Sequence, residues 1–128
     1  MSVDLRALTL RQPWASNVID GHKRIETRSW NLHYRGLIAI HASKRHAVAG
    51  LPSASILGVA RLVDVERVEL LKSLSALEYS LGDYTIGRFA FHLEDVRVLA
   101  QPVPYRGWQG LWRVDETTAR RILRSLSL

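Results

Sequence analysis

The chain has 128 residues, 47% of them hydrophobic and 23% charged, which suits one folded domain over residues 1–128 and disfavours a disordered chain. No cysteine is present, which excludes disulfides and thiolate metal sites and fits a reducing cytoplasm, and no apolar stretch is long enough to span a bilayer, so no membrane contact is expected. The net charge is +6, and residues 1–50 carry eight Lys or Arg against three Asp or Glu. A positive field concentrated on part of a small domain favours RNA or a nucleotide-like ligand, although the same charge could simply keep the protein monodisperse.

The first half of the chain alternates strand and short helix patterns. Pro13 suits the first position of a helix, and Gly21 suits the left-handed residue that ends one. Apolar runs bounded by glycine or polar residues predict the strands. The predicted elements are a strand over 5–10, a helix over 13–20, strands over 24–30 and 36–42, and a helix over 43–49 capped by Ser43.

The second half contains longer patterns. A strand is predicted over 55–68, with a bend at Gly58, and leucines at helical spacing predict a helix over 69–81. The remaining elements are a strand over 87–104 with an irregularity at Glu94–Asp95, a short strand within 105–114, and a helix over 115–126. About six strands without regular βα alternation predict an α+β fold, a mixed β-barrel with short flanking helices.

The stretch "GHKRIETRSW" (21–30) is the most unusual in the chain. The period of two in a strand places four side chains on one face: Arg24, Glu26, Arg28 and Trp30. Arginine forks suit phosphate or the acceptor edge of a base, and the indole can stack a base. Glu26 can accept from a base amino group or orient Lys23. The alternatives are a solvated strand face with weak ion pairs, or a structural lock between Glu26 and Arg28.

A wider pattern surrounds this stretch. Gly21, Lys23, Glu26 and Arg28 form a G-x-K-x-x-E-x-R motif, preceded by "LRQPWA" and followed by "RSW", "YRG" and a late "GWQGLW". In this order the segments resemble the ASCH family, named for homology to activating signal cointegrator 1. The resemblance covers the chain from Leu8 to Val114.

The resemblance implies a PUA-like β-barrel and a role in RNA binding. It places Lys23, Glu26 and Arg28 in or at a cleft beside the barrel. Trp14, on the helix before the motif, and Trp112, in the late "GLW", would form the walls of that cleft. For each tryptophan, packing in the core is the alternative role.

The resemblance also raises a catalytic alternative. One related branch deacetylates N4-acetylcytidine with a threonine three residues after the motif lysine, where this chain has Glu26. This departure counts against that amidohydrolase reaction. Lys23 and Glu26 could still form the catalytic pair of another hydrolase, because some family members are reported as ribonucleases. A third alternative is a protein-interaction adaptor, since some ASCH domains sit in coactivator assemblies.

His41 and Ser43 end a predicted buried strand and are weaker candidates. Near a cleft they could bind ligand or perform acid–base or nucleophilic chemistry, whereas a hydrogen-bonded histidine at a strand end is the commoner arrangement. The histidines of the first half show no recognised metal spacing, and no cofactor motif is present, so we expect neither metal nor cofactor.

Overall fold

Six strands form one mixed sheet in the computed structural model, which describes residues 2–128. The strands are β1 (Arg6–Leu10), β2 (Ile25–Arg28), β3 (Gly36–Ala42), β4 (Ser55–Arg67), β5 (Phe89–Pro104) and β6 (Leu111–Arg113). The helices are α1 (Trp14–Ile19), a 3-10 turn (Val68–Leu70), α2 (Ala76–Ser80) and α3 (Glu116–Ser125). Among residues 2–128, no helix has the length and apolar character needed to cross a bilayer.

The sheet is curled into a half-barrel, with strand order β2-β5-β4-β3-β1-β6. Strands β1 and β3 pair in parallel, and every other neighbouring pair is antiparallel. The expectation of an α+β fold with about six strands and short helices is confirmed.

Both faces of the sheet are buried. Alternate residues in and just before β1 enter two different hydrophobic clusters, Leu8 and Leu10 in one and Leu5 and Ala7 in the other, as a period of two requires. The first cluster includes residues of α1, and the second includes residues of α3. A helix therefore covers each face of the sheet near β1. The cleft described below lies at one end of this strand.

The two longest strands are irregular where the sequence predicted it. The register between β4 and β5 shifts between Ile56 and Gly58, and Asp95 has a φ of 51°. A Cβ atom at Gly58 would collide with the carbonyl oxygen of Arg97, so the β5 backbone passes too close for any other residue. The predicted bend and irregularity are both confirmed.

The predicted helix over 69–81 is wrong. The structure has only the 3-10 turn and the five-residue α2 in this region. The Val68 amide donates to the Arg88 carbonyl, which continues the β4–β5 pairing, and Ser75 starts a new helix by accepting from the Glu78 amide. Leu71 and Leu74 pack against Ile25, Val68 and Ala90. Tertiary contacts thus override the helical spacing of the leucines.

The predicted helix over 43–49 is also wrong, because these residues form turns. Ser43 Oγ accepts from the Arg45 amide two residues on, which is a turn contact and not a helix cap. His46 then adopts a φ of 57°, a left-handed conformation that a helix cannot contain.

Candidate functional site

A cleft of about 1040 Å³ lies beside the end of β1 and is open to solvent. Its lining comes from the ends of β1 and β3, from β2 and the residues that follow it, from residues 82–83 and 88, and from residues 108–110. The charged lining residues are four arginines and two carboxylates, namely Arg11, Arg28, Arg45, Arg88, Glu26 and Asp83. The excess of arginine makes this a basic cleft.

The four arginines fall into two pairs. The Arg28 guanidinium contacts Glu26 and donates to the Thr9 carbonyl at 2.8 Å, and Arg88 donates to the Thr27 carbonyl at 2.9 Å. Within residues 2–128, the side chains of Arg11 and Arg45 form no hydrogen bond or ion pair, and both are exposed. Among the four lining arginines, and within residues 2–128, Arg11 and Arg45 are therefore the two whose side chains have no protein partner and can meet an anionic ligand.

Three charged groups lie in a row at the base of the cleft; Arg28 and Glu26 line it, and Lys23 lies beneath them. Glu26 Oε2 is 2.9 Å from Arg28 Nη2, and Glu26 Oε1 is 3.6 Å from Lys23 Nζ. The Lys23 side chain has no exposed surface, and that of Glu26 is 11% exposed. Burial lowers the pKa of Lys23, and the carboxylates of Glu26 and Glu78 partly offset this effect. The Lys23 ammonium therefore has no surface in the cleft, and it acts on a ligand there only through the charge and position of Glu26.

Motif residues also hold one wall of the cleft in place. Lys23 Nζ donates to the Leu81 carbonyl at 2.5 Å, and Thr27 Oγ1 donates to the Asp83 carbonyl at 2.6 Å. Arg88 donates to the same Asp83 carbonyl at 3.1 Å. The Thr27 hydroxyl proton is thus engaged in fixing the 81–83 segment.

Glu78 is a site residue that sequence reasoning missed. It is 8% exposed, and its carboxylate accepts from the Arg24 amide at 2.8 Å and the Ile25 amide at 3.3 Å. These bonds fix the start of β2 just before Glu26. The available signal was the Ser75-x-x-Glu78 capping pattern, which the prediction of one long helix concealed.

Three tryptophans border the cleft: Trp14, Trp30 and Trp108. Trp14 is 38% exposed and Trp108 49% exposed, whereas Trp30 packs edge-on against Phe91 with ring centroids 5.3 Å apart. Trp112 is buried and stacks on Tyr105. Trp108 was missed, although the "GWQG" stretch places it in a glycine-rich loop where an indole can be exposed.

His41 lies in a buried hydrogen-bond chain behind the cleft. Its Nε2 is 2.7 Å from the Tyr105 carbonyl, so Nε2 carries a proton and donates. Thr9 Oγ1 accepts from Trp112 Nε1 at 3.0 Å and lies 3.2 Å from His41 Nδ1, where it donates. When the imidazole is neutral, every polar group in this row of hydrogen bonds has a partner. That is the usual arrangement of a structural histidine.

This arrangement makes stability depend on pH. Burial lowers the pKa of His41 below its ordinary 6.5, and the bond to Tyr105 partly offsets this effect. The unfolded chain therefore takes up a proton that the folded chain resists, so the stability His41 provides is full above 6.5 and is lost as pH falls below it. We expect the free energy of unfolding, measured by urea denaturation, to fall as the pH is lowered from above 6.5 to below it. A His41→Gln variant should lose this part of the decline, and identical pH profiles for the two proteins would contradict the account.

The predicted site residues occupy three places. Glu26, Arg28, Trp14, Trp30 and Ser43 border the cleft. Lys23, His41 and Trp112 are buried and are not among its lining residues. Arg24 is exposed outside the lining. Within the part of the chain that the structure describes, no group of His, Cys, Asp and Glu is arranged to hold a metal ion.

Comparison with known proteins bears on both sequence and fold. The sequence model of the ASCH domain matches residues 8–110. The crystal structure of ASCH from Zymomonas mobilis has 23% identity and a TM-score of 0.65, with 95% of this chain and 94% of that chain covered. A tyrosine-to-phenylalanine variant of the Zymomonas mobilis protein has 22% identity and a TM-score of 0.66, with 94% and 96% covered. No curated protein sequence matches the chain. The structural likeness confirms the PUA-like fold.

Proposed function

The chain belongs to the ASCH domain family, and from that premise we propose that it binds RNA in the basic, tryptophan-lined cleft. The family is generally associated with RNA binding. The observation that carries the proposal is that Arg11 and Arg45 border an open cleft as exposed cations without partners in the described structure, alongside exposed indole surface. Single-stranded RNA binds where a positive groove lies beside aromatic stacking surfaces.

In this proposal, different cleft residues contact the phosphates and the bases of the RNA. Arg11 and Arg45 contact phosphates, because neither side chain must leave a protein partner first. Arg28 is held by Glu26 and the Thr9 carbonyl, so it presents a fixed edge to a base. Glu26 accepts from a base amino group through lone pairs that its cations leave free. Lys23 and Glu78 support these groups from below.

Hydrolysis is the second candidate, because a buried lysine with a lowered pKa lies 3.6 Å from a carboxylate. Groups with perturbed pKa values gather at catalytic sites. Two features favour binding over hydrolysis. The lysine has no surface in the cleft, and the cleft is open, whereas water-excluding closure favours catalysis. The exposed leucines and Tyr79 of the 70–86 region provide apolar surface for an adaptor, but no feature of that region indicates a specific partner.

One experiment separates the candidates. The protein is incubated with total tRNA and with a short single-stranded RNA, and binding is followed by fluorescence anisotropy while product is followed on denaturing gels. A Glu26→Gln variant, which keeps the side-chain shape, is run alongside. Binding that weakens with salt and yields no product is the expected result. Product that disappears in Glu26→Gln would make the protein a hydrolase, and absence of both binding and product would contradict RNA as the ligand.

A further inference from the structure

We propose that Trp108 is the base-stacking residue of the cleft, and that Arg106 is a positioning residue that holds its indole ring. This inference rests on the proposed RNA binding and names the ligand class more closely: single-stranded RNA with an unstacked base. In a duplex the bases are already stacked on one another and offer no free face to an indole.

The surroundings of Trp108 support a stacking role. Its ring borders the cleft and is 49% exposed, which is a large apolar surface to leave in water. The ring centroid lies 5.4 Å from that of the buried Trp112, with the planes tilted by 54°. The indole is therefore supported from the core while about half of its surface stays available.

Arg106 supports the ring from outside the cleft. Its Cζ atom lies 5.1 Å from the Trp108 ring centroid, a cation–π distance. Arg106 is exposed and is not among the residues that line the cleft. The guanidinium therefore contacts the ring although Arg106 itself does not line the cleft.

The loop that carries both side chains is fixed at its centre. The Tyr105 carbonyl accepts from His41 Nε2 at 2.7 Å. A Cβ atom at Gly107 would lie 2.6 Å from His41 Cε1 and 2.7 Å from Thr9 Oγ1, so only glycine allows the backbone to pack this closely. The loop is thus ordered before ligand arrives, and a rigid aromatic platform loses little entropy on binding.

The first test measures affinity for a short single-stranded RNA at constant salt. Trp108→Leu should weaken binding roughly 5- to 150-fold, the range found for loss of one stacked base, and Trp108→Phe should retain most of the affinity. Tyr79→Leu is the matched control, because Tyr79 is 64% exposed and lies on α2, outside the cleft lining. A Trp108→Leu variant that is folded and binds like the parent would overturn the stacking role.

The second test separates positioning from phosphate contact at Arg106. Arg106→Ala should weaken binding about 2- to 5-fold, the worth of an exposed cation–π contact, and Arg106→Lys should recover part of it. The slope of log affinity against log salt should not change. A slope reduced by about 0.7 would mean that Arg106 touches a phosphate and would overturn the positioning role.

The double variant Arg11→Ala/Arg45→Ala distinguishes failure of this inference from failure of RNA binding itself. If the double variant binds RNA weakly while Trp108→Leu binds normally, only the stacking proposal fails. If both variants bind like the parent, the cleft is not the RNA site and both proposals fail.

Discussion

The Glu26→Ala variant is expected to have a free energy of unfolding about 3–5 kcal/mol below that of the parent protein. The Lys23 side chain has no exposed surface, and Glu26 is its nearest carboxylate, at 3.6 Å. Removing that carboxylate leaves a buried ammonium without its nearest counter-charge, with only Glu78 remaining, and deprives Arg28 of a two-point contact. Urea denaturation near neutral pH measures the loss directly.

Two further variants test whether the loss comes from the buried ion pair. Glu116→Ala removes a shorter but half-exposed pair, Glu116 Oε1 to Arg120 Nη2 at 2.6 Å, and should cost less than about 1 kcal/mol. The double variant Lys23→Met/Glu26→Leu should recover much of the loss, because the buried ammonium is removed together with the carboxylate that pairs with it. If Glu26→Ala lowers the free energy of unfolding no more than Glu116→Ala does, the buried Lys23–Glu26 ion pair does not stabilise this part of the cleft.

The stability of the Glu26→Ala variant should also depend on pH above neutrality. Without Glu26, the folded-state pKa of Lys23 falls further below its ordinary 10.5. The unfolded chain then binds a proton that the folded chain has released, so stability rises with pH below 10.5. Glu26→Ala should therefore regain stability relative to the parent as the pH rises from neutral toward 10.5. A constant difference across that range would show that Lys23 is not the group left unpaired.

The Arg11→Ala/Arg45→Ala variant is expected to bind single-stranded RNA roughly 100-fold more weakly than the parent at one fixed salt concentration. Each arginine offers a charge-assisted hydrogen bond to a phosphate. Both side chains are exposed and have no partner among the described residues, so their loss should leave the free energy of unfolding unchanged.

A matched control excludes a simple effect of net charge. Arg61 and Arg124 are exposed and lie outside the cleft lining, and replacing both by alanine removes the same total charge. This control variant should bind RNA nearly as well as the parent. Equal weakening in the two double variants would indicate diffuse electrostatic attraction without a defined site.

The parts of the fold that follow from local chemistry were predictable. Apolar runs and the period of two predicted all six strands, and Gly58 predicted the irregularity that the close approach of Arg97 requires. One wrong helix reflects contacts with distant residues, and the other reflects a left-handed residue in a turn. Leu71 and Leu74 face a small cluster formed by β2 and β5, and the turn at Ser43 depends on a left-handed His46. Neither contact is visible in the leucine spacing or the capping residue alone.

The candidate site was predictable where it depends on spacing within one strand, and not where it depends on contacts between distant segments. The period of two correctly brought Glu26 beside Arg28, because both lie on one short strand. The burial of Lys23 depends on the 81–83 segment, 58 residues further along the chain, which its ammonium group holds. Trp112 is buried whereas Trp108 is exposed, and the buried Trp112 likewise bonds to a distant residue, Thr9, 103 residues away. Sequence spacing identified the motif, and contacts between distant segments decide which of its side chains a ligand can reach.

The salt dependence of RNA affinity tests the central claim most directly. The logarithm of the affinity for a short single-stranded RNA is measured against the logarithm of salt concentration for the parent, for Arg11→Ala/Arg45→Ala and for Arg61→Ala/Arg124→Ala. If Arg11 and Arg45 each neutralise one phosphate, the slope for the first variant should be smaller in magnitude by about 1.4, and the control slope should equal that of the parent. Three equal slopes would contradict phosphate binding in the cleft.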